Sequence, residues 1–196
     1  LLGDDTAKRI GRVTLNPFKH IDKFGTVILP LMLILIKSPF IFGWAKPVPV
    51  KFYRLKNPLR DMVIVAIAGP MTNIALAFVA ASILSTMHNF ALLDNLWLIR
   101  TLANFFFINI ILAVFNMIPI PPLDGGRVAV GLLPQYLSYQ LARLERYGFF
   151  IIITALFIFP LIGKKIGISL EPIQWFIQSV SSFLISVIAI ITGLQI

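Results

Sequence analysis

The sequence contains no cysteine, only two histidines, and 8 acidic residues against 17 Lys and Arg in 196 residues. Without cysteine there is no disulfide framework, no thiolate nucleophile and no thiolate metal ligand, and the redox compartment leaves no mark. His20 and His88 stand far from the i, i+4 spacing of a helical zinc site, and no His-Glu-x-x-His occurs. A catalytic zinc commonly takes three protein ligands and an open water position, so no recognisable motif within the chain assembles one. His20, in the basic stretch NPFKHID, reads as a surface or capping histidine. No phosphate-binding glycine loop, Ser-His-Asp set at informative spacing, internal repeat or low-complexity tract is present. The opening residues LLGDDTAK lack an initiator methionine, a basic n-region and a small-residue cleavage site, so they do not read as a signal peptide. They read as the continuation of a longer chain.

What is abundant is apolar: 58% of the residues are hydrophobic, against roughly 45–50% in ordinary soluble domains. No polar stretch is long enough to fold as a separate core, so residues 1–196 read as one membrane-embedded domain. Spanning helices need about 20 mostly apolar residues, and 62–87, 101–118, 148–163 and 173–196 come near that mark. The expected fold is an all-α polytopic membrane protein with about four transmembrane helices.

A fifth apolar stretch, 26–43, is interrupted by Pro30, Lys37 and Pro39, so it either spans or re-enters. Charge separates the two readings. If 26–43 dips in and returns, residues 1–23, 44–61 and 119–147 share one side with 5, 5 and 3 Lys or Arg, and the other side holds only Arg100, Lys164 and Lys165. That asymmetry marks a cytoplasmic face and favours a re-entrant or short β-hairpin-like segment near the N-terminus. It also accounts for the net charge of +9 without a nucleic-acid partner. Alternating apolar residues around Pro47 and Pro49 in 44–57 fit an edge strand that docks extended peptide, or a basic interfacial loop. Leu137, Leu141 and Leu144 in 134–147 are at helical spacing, with Arg143, Glu145 and Arg146 on other faces, as in a helix lying at the interface.

The residues with chemistry to offer sit where helices are disturbed. In NMIPIPPLDGGR at 116–127, Pro119, Pro121 and Pro122 end a span, and Gly125 and Gly126 permit close backbone approach around Asp124. Asp124 is either a turn residue capping its own backbone or a carboxylate aimed into a protein-lined cavity as a metal, proton or ion site. Asn116 lies eight residues before it; Asn73, in AGPMTN, follows the Gly69-Pro70 pair by one turn. Both carboxamides suit interhelical hydrogen bonding; beside a carboxylate they also suit a site for a peptide carbonyl or oxyanion. All three are expected to share one site in the membrane zone.

Taken in order, GRVTLNPFKHID at 11–22, GWAKPVPV at 43–50, AGPMTN at 68–73 and NMIPIPPLDGGR at 116–127 resemble the site-2 protease family of intramembrane zinc metallopeptidases, in its compact bacterial form without a PDZ domain. That resemblance implies a zinc endopeptidase cleaving transmembrane segments of substrate proteins, in a bacterial inner membrane, with its active site toward the cytoplasm. It implies that Asp124, the aspartate of N-x-x-P-x-x-P-L-D-G-G, is a ligand to Zn2+. It makes Asn73 a contributor to substrate or oxyanion binding, Asn116 a supporting neighbour of the metal, and GWAKPVPV a strand that holds substrate extended. The family's other two ligands and its general base belong to a His-Glu-x-x-His helix just upstream of the stretch resembling LLGDDTAKR, so the chain as written is expected to bind zinc poorly and to be inactive. An ion-coupled transporter built on two broken helices and a non-catalytic membrane scaffold are the competing readings.

Overall fold

A computed structural model describes residues 3–14, 16–37, 43, 45, 46, 48, 51, 54–89 and 95–195. Two compact units are distinguished, Leu1–Asp61 and Met62–Ile196.

Among its described residues the first unit contains short helical pieces, two of them started by side-chain caps. Helix α1 covers Thr6–Arg9, a 3₁₀ turn Pro17–His20, and a π-helical turn Lys23–Ile28 runs into α2, Leu29–Leu35. Asn16 accepts from the Phe18 amide at 3.0 Å, and Asp22 from the amides of Phe24 at 3.1 Å and Gly25 at 2.7 Å. Both are the N-cap arrangement that satisfies donors a helix start leaves unpaired. The apolar helix Lys23–Leu35 is shorter than a span, and two residues beyond its end Lys37, with φ of 52°, departs from the helical course. Residues 38–42 lie outside the described residues, as do Trp44, Pro47, Pro49, Val50, Phe52 and Tyr53 of the expected edge strand. The hairpin-like reading of this region finds no support, because no strand occurs among the described residues.

Four helices are long and apolar enough to cross a membrane: Pro58–His88, Leu96–Asn116, Glu145–Ile166 and Pro172–Thr192. The first lies within α3 (Pro58–Asn89), the second is α4, and the fourth is α9. The third is composite: α7 (Glu145–Ile153), a π-helical turn (Thr154–Ile158) and α8 (Phe159–Ile166). Between the second and third spans lie α5 (Asp124–Leu132) and α6 (Gln135–Arg143).

Small residues make the packing of the second unit possible. Ala77, Ala80 and Ala81 of α3 form one core cluster with Phe106, Ile110 and Val114 of α4 and Ile188 of α9. The three alanines recur at i, i+3, i+4, giving α3 a face without bulk against which larger side chains close. Large apolar residues such as Val79, Ile108, Ile111 and Ile190 point outward, as helices in lipid require. Pro70 does not interrupt α3, which continues through it to Asn89. In the same turn the Thr72 hydroxyl donates to the Ala68 carbonyl at 2.8 Å, one of the ways a membrane helix accommodates proline.

Candidate functional site

After Asn116 the chain tightens at once. The Met117 amide reaches back to the Ala113 and Val114 carbonyls, Ile120 donates to Ile118 at 2.7 Å, and Leu123 donates to Ile120 at 3.0 Å. The Pro121–Pro122 peptide is cis. Asp124 follows as the first residue of α5, not as part of a free turn. The paired glycines explain how a helix fits there. A Cβ on Gly125 would strike the Met117 carbonyl, and one on Gly126 would strike the Pro121 nitrogen. The first turn of α5 therefore lies directly on the backbone of the proline loop, which fixes where the Asp124 carboxylate emerges.

That carboxylate faces α3 where α3 has no side chain. A Cβ built on Gly69 would stand 3.3 Å from Asp124 Oδ2. Asp124 is half-buried, and among the described residues its carboxylate accepts no hydrogen bond. Asp124 lies outside the four spans. Burial pushes its carboxyl above the usual carboxylate range, and the Arg127 guanidinium pulls in the opposite direction. Arg127 also approaches Glu145, at 3.7 Å. An anion desolvated without hydrogen bonds is costly for the fold and is the type of group that a cation would stabilise.

The linkage sign gives a test. A carboxyl whose folded pKa is raised contributes stability below its unfolded pKa and loses it as pH rises through the folded value. In the metal-free 196-residue chain, Asp124→Asn should therefore raise the melting temperature relative to the unsubstituted chain, with the gap opening as pH rises from 4 toward 7. Melting curves at three pH values check this; a variant that melts lower throughout would show that the carboxylate is structurally satisfied.

Asn73 lies one turn beyond Gly69 on the same helical face, by its i+4 spacing, and Asn116 is the last residue of α4, adjoining the Met117 carbonyl on which Gly125 rests. Both are half-buried, and among the described residues neither side chain has a hydrogen-bond partner. Asn109 provides the contrast. It is 5% exposed and donates its amide to the Phe105 carbonyl at 2.8 Å, the self-satisfied state of a structural membrane carboxamide. Asn73 and Asn116, by contrast, have no such partner among the described residues.

The two histidines are placed within their own elements. His20 Nε2 lies 3.0 Å from the Thr14 carbonyl, consistent with a capping role. His88 is 19 residues along α3 from Gly69, about 28 Å at 1.5 Å per residue. Among the described residues no three His, Cys, Asp or Glu side chains converge as a metal site. These residues provide one carboxylate and do not by themselves fit zinc.

Gly148 of α7 is a site-supporting residue that the sequence left unmarked. A Cβ there would overlap the Pro121 carbonyl oxygen and crowd Pro122 Cδ. The third span therefore rests on the proline loop through a position that tolerates no side chain.

Residues 86–160 match the model of Peptidase family M50. The chain is 42% identical over 164 residues to "Putative zinc metalloprotease YwhC" of Bacillus subtilis, covering 81% of this chain and 70% of the relative. It is 28% identical over 187 residues to "Putative zinc metalloprotease Rip2" of Mycolicibacterium smegmatis, covering 94% of this chain and 68% of that protein. A 64-residue stretch is 44% identical to "Putative zinc metalloprotease MJ0611" of Methanocaldococcus jannaschii, covering 33% and 31% of the two chains. No solved structure matches the chain. With most of both sequences aligned to a relative at this identity, and with four membrane-length helices and an N-x-x-P-x-x-P-L-D-G-G loop, the chain belongs to Peptidase family M50, the site-2 protease family.

Proposed function

We propose that this chain forms the greater part of an intramembrane zinc endopeptidase that cleaves transmembrane segments of membrane-protein substrates, with Asp124 as one zinc ligand. The reading is carried by one observation: a half-buried carboxylate with no hydrogen bond among the described residues, set against the bare face of α3 at Gly69. The names of the similar proteins support zinc as the metal. The remaining ligands and the general base are assigned to a His-Glu-x-x-His helix outside these 196 residues. Asn73 and Asn116, half-buried, would hydrogen-bond a substrate carbonyl, where fixed donors contribute most in a water-poor site. The Lys and Arg bias supports the Asp124 end facing the cytoplasm, and the resemblance to the compact bacterial form supports a bacterial inner membrane.

Metal content and cleavage test this together. One carboxylate cannot replace two imidazoles and their hydrogen-bonded supports, so the purified 196-residue chain should hold no stoichiometric zinc and cleave no membrane substrate. A form extended upstream through an in-frame His-Glu-x-x-His should do both. Stoichiometric zinc with proteolysis from the shorter chain would refute the ligand assignment.

A further inference from the structure

Helix α6 presents three different faces. Ser138 donates to the Val130 carbonyl of α5 at 2.7 Å, which fastens one face to the protein. A second face opens as a groove of about 360 Å³ lined by Leu133, Leu137, Gln140, Leu141 and Leu144. Leu133, Leu137 and Leu144 remain 38%, 46% and 42% exposed within it, so among the described residues the leucines are left partly uncovered. The third face carries Tyr136, Tyr139 and Arg143, all exposed.

Charge on this side is unbalanced. Glu145, the acidic residue nearest in sequence, is approached by Arg127 at 3.7 Å. Arg143 and Arg146 make no ion pair among the described residues. Instead each guanidinium lies over a tyrosine ring, Arg143 over Tyr139 and Arg146 over Tyr147, both at 5.9 Å from the centroid. Chain connectivity fixes the level of these groups, because α6 ends at Arg143 and the third span begins at Glu145. Arg143, Leu144 at the end of the groove, and Arg146 therefore lie at the membrane boundary, where acyl chain gives way to phosphate.

We infer that the α6 groove is a binding site for an anionic phospholipid, one acyl chain lying along Leu133, Leu137, Leu141 and Leu144 and the phosphate meeting Arg143 and Arg146. The leucines need a flexible apolar occupant, the unpaired guanidiniums need an anion, and a lipid provides both from the solvent in which the span sits. Tyrosine rings beneath the arginines hold them extended toward the headgroup layer, as amphipathic side chains do at such boundaries.

The absence of native cysteine allows a direct test. Leu137→Cys, labelled with bimane, is placed in nanodiscs of phosphatidylcholine with increasing phosphatidylglycerol, with one lipid brominated at a time. Brominated phosphatidylglycerol should quench the label at a lower mole fraction than brominated phosphatidylcholine, with a preference of roughly fivefold per basic residue. Arg143→Gln with Arg146→Gln should remove the preference and leave apolar quenching in place. A label-free measurement guards against disturbance by the label: the unlabelled protein should melt higher in phosphatidylglycerol than in phosphatidylcholine, the gap closing in the double Gln variant. Soluble glycerophosphate should reproduce neither effect. Equal quenching by both lipids, a preference that survives the arginine substitutions, or disulfides joining two copies of the Leu137→Cys variant in place of lipid quenching would overturn the site. None of these readouts requires protease activity, so the inference stands or falls apart from the proposed function.

Discussion

In the upstream-extended protein, Asp124→Ala should lower cleavage of a membrane substrate by at least about 100-fold, since replacing even the outer partners of metal ligands costs about 10–100-fold. The substitution removes a charge and the carboxylate oxygen that faces Gly69. Asp124→Glu should be impaired as well, because α5 is pinned through Gly125 and Gly126 and cannot retreat to admit a longer arm. Substrate cleavage in reconstituted vesicles measures both. Helical content should stay unchanged, so that the loss reports on the site and not on folding. Full activity in the alanine variant would remove Asp124 from the reaction.

The second large effect lies on another span. Gly148→Leu places a side chain where the Pro121 carbonyl already stands, so either α7 or the loop must move. Overpacking of this kind costs about 1–3 kcal/mol, occasionally more, and the displaced loop is the one that positions Asp124. The variant should melt several degrees lower and, in the extended protein, should lose most activity, whereas Phe149→Ala at its outward-facing neighbour, 65% exposed, should leave activity nearly intact. A Gly148→Leu protein with normal melting and normal cleavage would show that the contact between α7 and the loop does not position the carboxylate.

The spans were legible because a membrane helix must carry about 20 apolar residues in a row, and little else in a protein does. Their ends were less so. The second span begins at Leu96 and not at 101 because Asn95 caps it, accepting from the Leu98 amide at 3.1 Å, and because Arg100 lies inside its first turns. The third begins at Glu145, three residues before the apolar run that announces it. Proline misled in one place: Gly69-Pro70 reads as a break, yet α3 passes through it, and the consequence of Gly69 is an open patch facing Asp124. Two adjacent glycines likewise hid α5, since glycine disfavours helix. Their reason is tertiary, the backbone of the proline loop lying where side chains would be, and local propensity carries no trace of it.

Function was legible through one motif more than through periodicity. The order of prolines, aspartate and glycines at 116–126 marked the loop, and the structure shows the glycines in close approach to its backbone. In the sequence Asn73 and Asn116 stood out only by the Gly-Pro and proline-rich stretches next to them, and Asn109, in an undisturbed apolar run, was left unmarked. The hydrogen bond from Asn109 to Phe105 adds the physical distinction between a self-satisfied carboxamide and two without a partner among the described residues. Gly148 carried no signal either, because a glycine at the polar end of a span is ordinary until its neighbour is seen.

The central claim, that residue 124 binds the metal, has a direct spectroscopic test because the chain has no native cysteine. Asp124→Cys in the extended protein, loaded with cobalt in place of zinc, puts a soft thiolate ligand at that position. If Asp124 occupies the metal's coordination sphere, the variant should show a thiolate-to-cobalt charge-transfer band in the near ultraviolet that is missing from the unsubstituted protein. Stoichiometric cobalt bound by the Asp124→Cys variant without that band would contradict the account.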